Sequence, residues 1–342
     1  MKNYEDAAEA LTKAELIHSQ NPIQKVVAFS EYDLSKAAYI RESLSIPGPG
    51  ISETDLFTDK TKMKEALQSV LRTPTFARVS SKEEAKAFIR QQGLPVVIKP
   101  SVGAASERVE IITCMQDIED LIICPGDQIE EFIDGQIYHV DGIRDHSTFA
   151  YLKISRYYNT CLMFRNGSPL GSITEDDPRV LNKISTFTNK ALDTLNLTEG
   201  AFHLELIMSP KGLYFLEIGA RIGGGEIPFV AKGIEGVDLY ELWSAVIQGK
   251  EYSPVENQTT GFLMVPCPWD GGYKVQTSEN ISHKNLVSQT IINKIADCDF
   301  SYENIPGRFH FRGKNAAVIE SAIEKVALQF NLQIKPMKRM HT

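Results

Sequence analysis

Apolar positions recur at helical spacing along much of this chain, broken by short runs with the two-residue period of strands. Ala7, Leu11, Ala14 and Ile17 predict a helix over 5–18. Val26–Phe29 reads as a short buried strand that ends in the polar tip Ser30-Glu31-Tyr32-Asp33. A helix through Ala37, Ala38, Ile40 and Leu44 follows, stopped by Ile46-Pro-Gly-Pro-Gly50. After Thr58-Asp59-Lys60, the residues Met63, Ala66, Leu67, Val70 and Leu71 again mark one helical face, up to Arg72-Thr-Pro74. Ser81 and Glu84 form a capping box for a helix closed by Gly93. Strands are predicted at Pro95–Pro100, Arg108–Ile112, Gln128–Ile133, Ile137–Ile143 and Thr148–Ser155, with a short helix near 116–122. Met163–Pro178 shows no periodicity and reads as a long loop, a length that points to function or movement. A helix at 178–196, a hairpin of Ala201–Met208 with Leu213–Gly219, and the bend Gly223-Gly-Gly225 come next. Strands near 261–265 and 308–312 and a helix at 315–329 complete the reading.

Helices mixed with strands place the chain in the α/β and α+β classes. At roughly 150 residues per domain, the 342 residues make two to three domains. The pattern suggests boundaries at 1–71, 72–133, 134–254 and 255–342. Apolar residues at 42% and charged residues at 23% exclude a disordered or fibrous chain. The balance of 36 basic against 44 acidic residues leaves −8 and no basic stripe. Nucleic acid and anionic lipid are therefore not expected partners. No apolar run reaches the ~18 residues of a membrane span, and Met1-Lys-Asn-Tyr-Glu-Asp6 is not a signal sequence. Cys114, Cys124, Cys161, Cys267 and Cys298 form no CxxC pair and are odd in number. They read as reduced thiols, which points to a cytoplasmic protein.

The hairpin carries the clearest candidate chemistry. His203 and Glu205 share one face of the first strand, opposite Phe202, Leu204 and Leu206. A three-residue turn at Pro210-Lys-Gly212 sets Glu205 across from Glu217. Like charges in that position repel. They become useful if a phosphate-bound Mg²⁺ lies between them. The plainer alternative is a register one residue away, with one Glu in solvent. Arg221, near Gly223-Gly-Gly225, offers a planar fork of donors for an anion, or is a surface residue beside a tight turn. Lys99 closes an apolar strand before the small-residue run Ser101–Ser106. It either meets an anion or extends to solvent from the strand end. Neither GxxxxGK[ST] nor GxGxxG is present. Glu130-Glu131-Phe132-Ile133 leads into Asp134-Gly135, either as an edge strand or as the site of an adenine edge. His139, Asp141 and His146 are open between reading a substrate and satisfying a sheet.

Taken in order, these segments resemble the ATP-grasp superfamily: Asp59-Lys60, Val97-Ile-Lys99-Pro100 with its loop, Glu130–Ile133, Phe202-His-Leu-Glu205, and Leu216-Glu217-Ile-Gly-Ala-Arg221. The resemblance covers about residues 25–250. Ser30-Glu31, Tyr138-His-Val-Asp-Gly142 and Glu217–Arg221 make it most similar to the carboxylate–amine or carboxylate–thiol ligases, the branch of L-amino-acid ligases, carnosine synthase and the butirosin-type glutamate–carrier-protein ligase. The C-terminal Gly307–Gly313 segment resembles that branch's last lobe. The implied fold is two α+β lobes gripping ATP, a small lid at 72–133 and a catalytic lobe at 134–254, after a short N-terminal unit.

That resemblance implies roles. Lys60 and Lys99 hold the phosphates, and the loop with Ser106 closes over them. Glu130, Glu131, Phe132 and Ile133 meet the adenine. Glu205 and Glu217 bind Mg²⁺ or Mn²⁺. Arg221 steadies the transferring phosphoryl group. Glu31, His139, Asp141, Arg156 and His203 are weaker substrate candidates, and Lys153 or Arg156 could add a phosphate contact. Two positions depart from the family pattern: Ile137 replaces a ribose-binding carboxylate, and Gly219 replaces an Asn two residues past the second metal Glu. The expected activity is ATP-dependent, ADP-forming ligation of a carboxylate, an amino acid, to an amine in a specialised biosynthetic pathway. Transfer to an acyl-carrier-protein thiol is the alternative, and an ATP-binding regulatory pseudoenzyme a second one. A short N-terminal unit leaving a bare sheet edge favours a homodimer.

Overall fold

The computed structural model describes residues 7–104, 106–253, 255, 258–267, 273–275, 281–295, 302–331 and 334–336. Residues 1–6, Ala105 and Cys298, which enter the sequence reading above, lie outside the described residues. The chain divides into two compact units. The first comprises residues up to Asp134, Arg144–Ser147 and Phe187–Ile222. The second comprises Gly135–Ile143, Thr148–Thr186 and the chain from Gly223 onward.

In the first unit, helices Ala7–Gln20 and Leu34–Leu44 pack together as their periodicity requires. Val26–Phe29 is not a strand. Its backbone is held by a side chain instead, with Arg41 Nη1 donating to Val26 O at 2.7 Å, while Ala28 packs on Leu34 and Ala37. The sheet edge that favoured a homodimer is therefore not formed there.

Helix Lys60–Leu67 starts at Asp59, whose carboxylate accepts from Thr61 N and Lys62 N at 3.0 and 3.2 Å. A four-stranded antiparallel sheet follows, in the order Phe76–Val79, Asp127–Glu131, Val96–Pro100, Glu110–Ile112. The strand Phe76–Val79 has only four residues and no apolar alternation, so the pattern does not disclose it. Helix Lys82–Gln92 covers the sheet and buries Ala85, Phe88 and Ile89 against Val96, Ile98 and Ile129.

The hairpin pairs Glu199–Ser209 with Gly212–Gly219 and sets Glu205 opposite Glu217. The route to that register differs from the expected three-residue turn. Ser209 pairs with Gly212, so the turn is the two residues Pro210-Lys211. A bulge at Leu216, between the Glu205–Glu217 and Leu206–Phe215 pairs, restores the offset. Phe215, whose amide donates to Arg72 O at 2.9 Å, thus stays buried while Glu217 keeps its face.

In the second unit, six strands run in the order Leu286–Ile291, Gly307–Arg312, Thr260–Val265, Leu170–Thr174, Thr148–Tyr157, Gln136–Asp145. Helix Ala316–Asn331 packs Ile319, Ile323 and Phe330 on Ile173, Leu263 and Phe309. Met163–Pro178 is not a structureless loop. It holds helix Cys161–Arg165 and the interior strand Leu170–Thr174. Gly171 hides that strand from pattern reading, because a Cβ there would stand 2.9 Å from Tyr158 Cβ and 3.1 Å from Phe262 O. The close approach needs a residue that strands usually avoid. No helix among the described residues is long and apolar enough to cross a membrane. No disulfide joins the described cysteines Cys114, Cys124, Cys161 and Cys267 to one another.

Gly261 tests this packing. A Cβ there would lie 2.6 Å from both Ser172 O and Ile319 Cγ2. Gly261→Ala should cost about 1–3 kcal/mol and lower the thermal midpoint. Gly233→Ala, which meets nothing within 4 Å, should leave it nearly unchanged. Equal midpoints for the two variants in calorimetry would contradict the packing.

Candidate active site

Three lysines converge in the first unit, and the positions of two follow from helix spacing. Lys60 and Lys64 stand four residues apart on helix Lys60–Leu67 and share a face, while Lys62 turns away to Asp55 at 2.5 Å. Lys99 reaches them from the strand Val96–Pro100. Their centre is the buried Glu130 carboxylate, 2.5 Å from Lys99 Nζ and 3.0 Å from Lys64 Nζ. Gln128 Nε2 donates to Glu130 at 2.6 Å, and Thr61 Oγ1 donates to Gln128 at 3.3 Å. Burial disfavours the charge on Glu130, but Lys64 and Lys99 hold it below the usual carboxylate range. Burial works against Lys99 too, yet Glu130, Glu217 and Glu205 carry it above the usual lysine range. Burial does prevail at Lys64, which falls to about 8 despite Glu130, with Lys99 adding to the fall.

The Glu130 side chain is thus committed to lysines. Beside it, Glu131 accepts from Thr75 N at 3.3 Å, and Phe132 N donates to Pro95 O at 3.3 Å. Phe132 and Ile133 are half-buried at the strand's exit. Sequence reasoning missed Lys64; the available signal was its four-residue spacing from Lys60.

Lys60 ties this cluster to the loop and the hairpin. Its amide donates to Ser101 O at 2.8 Å and its ammonium to Gly103 O at 2.5 Å. Lys60 Nζ is also 3.4 Å from Glu217 Oε2. Ser106 follows in a turn with φ of 53°. Burial would raise Glu217, but Lys60, Lys99 and Lys64 bring it down to about 2. His203 Nε2 lies 3.4 Å from Glu205 Oε1 on the same face. Arg221 Nε donates to Glu31 Oε2 at 2.6 Å, and its Nη1 donates to Ile222 O at 3.0 Å. Four cations and four carboxylates, Glu31, Glu130, Glu205 and Glu217, therefore occupy this face. Hard carboxylate oxygens set opposite each other suit Mg²⁺ or Mn²⁺.

The second unit holds the other candidates except His146, which belongs to the first. His139 Nδ1 meets Asp141 Oδ2 at 2.6 Å, and His139 Nε2 meets Ser172 Oγ at 2.7 Å, all three buried. They line a small cavity with Tyr151, Lys153 and Glu235. Lys153 is paired with Glu235 at 2.5 Å. Arg156 is bound at both terminal nitrogens by Glu320, at 2.9 Å each. Both side chains are thus engaged by carboxylates. His146 is exposed beside Asp145. The glycine bend leads to buried Glu226, held by Tyr302 and His310, which sequence reasoning also missed.

Lys64 gives a direct check. Its folded value lies below the ordinary lysine value of 10.5, so the unfolded chain binds the extra proton between pH 8 and 10.5. Its contribution to stability therefore rises with pH across that window. Side-chain ¹⁵N NMR should find one lysine titrating near pH 8, and Glu130→Gln should lower that midpoint further. A spectrum with every lysine near 10.5 would contradict the buried cluster.

Residues 57–225 match the ATP-grasp domain family. An L-arginine-specific L-amino acid ligase of Bacillus subtilis is 26% identical over 269 residues, 72% of this chain and 63% of that protein. Dapdiamide A synthase of Enterobacter agglomerans is 26% identical over 174 residues, 46% of this chain and 40% of that protein. The chain thus spans less than two thirds of the length of either relative. The crystal structure of an L-amino acid ligase from Bacillus licheniformis superposes with a TM-score of 0.74 at 19% identity, covering 97% of this chain and 84% of that one, which shows a shared fold. The resemblance runs to the carboxylate–amine ligase branch, and this chain carries an ATP-grasp domain over residues 57–225.

Proposed function

We propose that this chain is an ADP-forming ligase that activates a carboxylate, that of an amino acid, and joins it to an amine. The observation that carries the reading is the pair Glu205 and Glu217, opposed across one ladder and facing Lys60. Nucleotide phosphates suit that cluster. Lys60 and Lys99 bind their oxygens, and the Ser101–Ser106 segment closes over them with backbone donors. Glu130 positions both Lys99 and Lys64, and the adenine edge lies at Glu131–Ile133. A divalent cation held by Glu205 and Glu217 would neutralise charge on the β and γ oxygens.

In the reaction, the substrate carboxylate oxygen bonds to the γ phosphorus, and the bond to the β-phosphate oxygen breaks, releasing ADP. The amine nitrogen then bonds to the acyl carbon, phosphate leaves, and the nitrogen gives up its proton. Arg221 stabilises the phosphoryl oxygens in both steps. Positioning and charge neutralisation supply most of the acceleration. Water has to be kept from the acyl phosphate, which is the work of the four-stranded lid. His203, 3.4 Å from Glu205, and Glu31, beside Gly219, would meet the amino-acid substrates.

A panel of amino acids assayed for ADP release, with mass spectrometry of the product, tests this reading. Mg²⁺-dependent ADP release should require a pair of amino acids and yield the dipeptide mass. Glu217→Gln or Lys99→Met should cut the rate by about 10²–10³-fold. ATP binding without ADP release for any pair would favour a regulatory role. Release only with a phosphopantetheinyl carrier protein would move the acceptor from amine to thiol.

A further inference from the structure

Two lysines share one carboxylate in the buried cluster, and they are not equivalent. Lys60 and Lys99 keep 10% and 6% of their side chains exposed, whereas Lys64 keeps none. Lys64 is therefore the one of the three lysines that cannot itself touch a bound phosphate. It meets Glu130 at 3.0 Å, against 2.5 Å for Lys99. The contact is an ion pair without a directed hydrogen bond, since Lys64 Nζ is a buried donor that makes none among the described residues. An ammonium with three donors, held in the interior by one shared carboxylate, is costly to keep charged. Three elements bring charge to it: Glu130 from strand Asp127–Glu131, Lys99 from strand Val96–Pro100, and Glu217 from strand Gly212–Gly219. Its helix also packs on Phe76–Val79, whose Arg78 is bound by Asp59 at 2.6 Å.

We propose that Lys64 is a positioning residue for the nucleotide: working through Glu130, it sets how much of the Lys99 charge is left for the phosphates. This rests on the reading of Lys60 and Lys99 as phosphate ligands given above, and adds to it a residue that never meets the nucleotide. With both lysines charged, Glu130 is shared and the three groups together carry one positive charge. When Lys64 gives up its proton that charge is lost, and Glu130 is left to Lys99 alone. The Lys99 ammonium, then fully countered by its carboxylate, attracts an anion less strongly. Burial brings Lys64 down to about 8, so the change falls between neutral and mildly alkaline pH. Lys99, carried above the usual lysine range, stays charged throughout. The coupling is reciprocal: phosphates at Lys99 favour the charged form of Lys64 as much as that form favours the phosphates. Binding above pH 8 therefore draws a proton onto Lys64, and affinity falls as pH rises through its titration.

Calorimetric titration of the full chain with metal-free ADP, from about pH 7 to about pH 9.5, tests the assignment without any turnover, in a range where phosphate is already ionised. Wild-type affinity should fall by at least about fivefold, in a step centred near the Lys64 titration. Binding on the alkaline side of that step should take up protons, read from the heats in buffers of different ionisation enthalpy. Lys64→Arg, which keeps its charge at every pH of the series, should hold the neutral-pH affinity throughout and take up no proton. Lys64→Met should bind at the weaker alkaline level at every pH, with no step. Loss of packing alone would weaken binding and leave the step in place. Thermal midpoints identify a variant that does not fold, and wild-type proton uptake then decides the matter by itself. Wild-type ADP binding with neither step nor proton uptake, or the same step retained in Lys64→Met, would overturn the role of Lys64 and leave the ligase reading standing. Absence of ADP binding at every pH would overturn the nucleotide reading beneath it.

Discussion

Glu205 and Glu217 face each other across adjacent strands, an arrangement that costs stability unless positive charge stands nearby. Much of the polar structure of the first unit follows from that constraint. Lys60 reaches Glu217 directly, and its own position is fixed at both ends by Ser101 and Gly103. Lys99 and Lys64 add their field from behind, and they can remain buried only because Glu130 lies between them. Arg221 is matched by Glu31. The four carboxylates and four cations balance.

The buried part of this network is demanding in a different way. A charge left without its partner in the interior is far more costly than a pair replaced by apolar groups. Glu130, in contact with two lysines and Gln128, is therefore the residue whose loss reaches furthest. Its strand also pairs with Phe76–Val79 on one side and Val96–Pro100 on the other, so an inner strand of the four-stranded sheet and the charge cluster are one construction. Lys64 comes from helix Lys60–Leu67 and Lys99 and Glu130 from the sheet, so the buried cluster joins that helix to the sheet.

Much of this was legible in the sequence where chemistry and periodicity agree. Alternation in Ala201–Met208 assigns His203 and Glu205 to one face, and the pairing with Glu217 follows from the turn. The turn itself was misread, because a bulge at Leu216 is invisible to a period-two pattern and happens to restore the expected pairing. The strand Leu170–Thr174 was hidden by Gly171, whose missing side chain is the condition for its packing. Val26–Phe29 has strand composition but pairs with no strand among the described residues, and Arg41 donates to Val26 O instead. Lys64 was passed over as one of three lysines on a short helix. Lys153 and Arg156 are engaged by Glu235 and Glu320, partners 82 and 164 residues away that no local pattern reveals.

Diffraction at the manganese absorption edge, from crystals grown with Mn²⁺ and a non-hydrolysable ATP analogue, addresses the central claim most directly. The account predicts an anomalous peak within about 2.0–2.3 Å of carboxylate oxygens of both Glu205 and Glu217, with phosphate oxygens completing the shell. A nucleotide bound with its manganese away from both glutamates, or no peak on that hairpin at saturating metal, would contradict it.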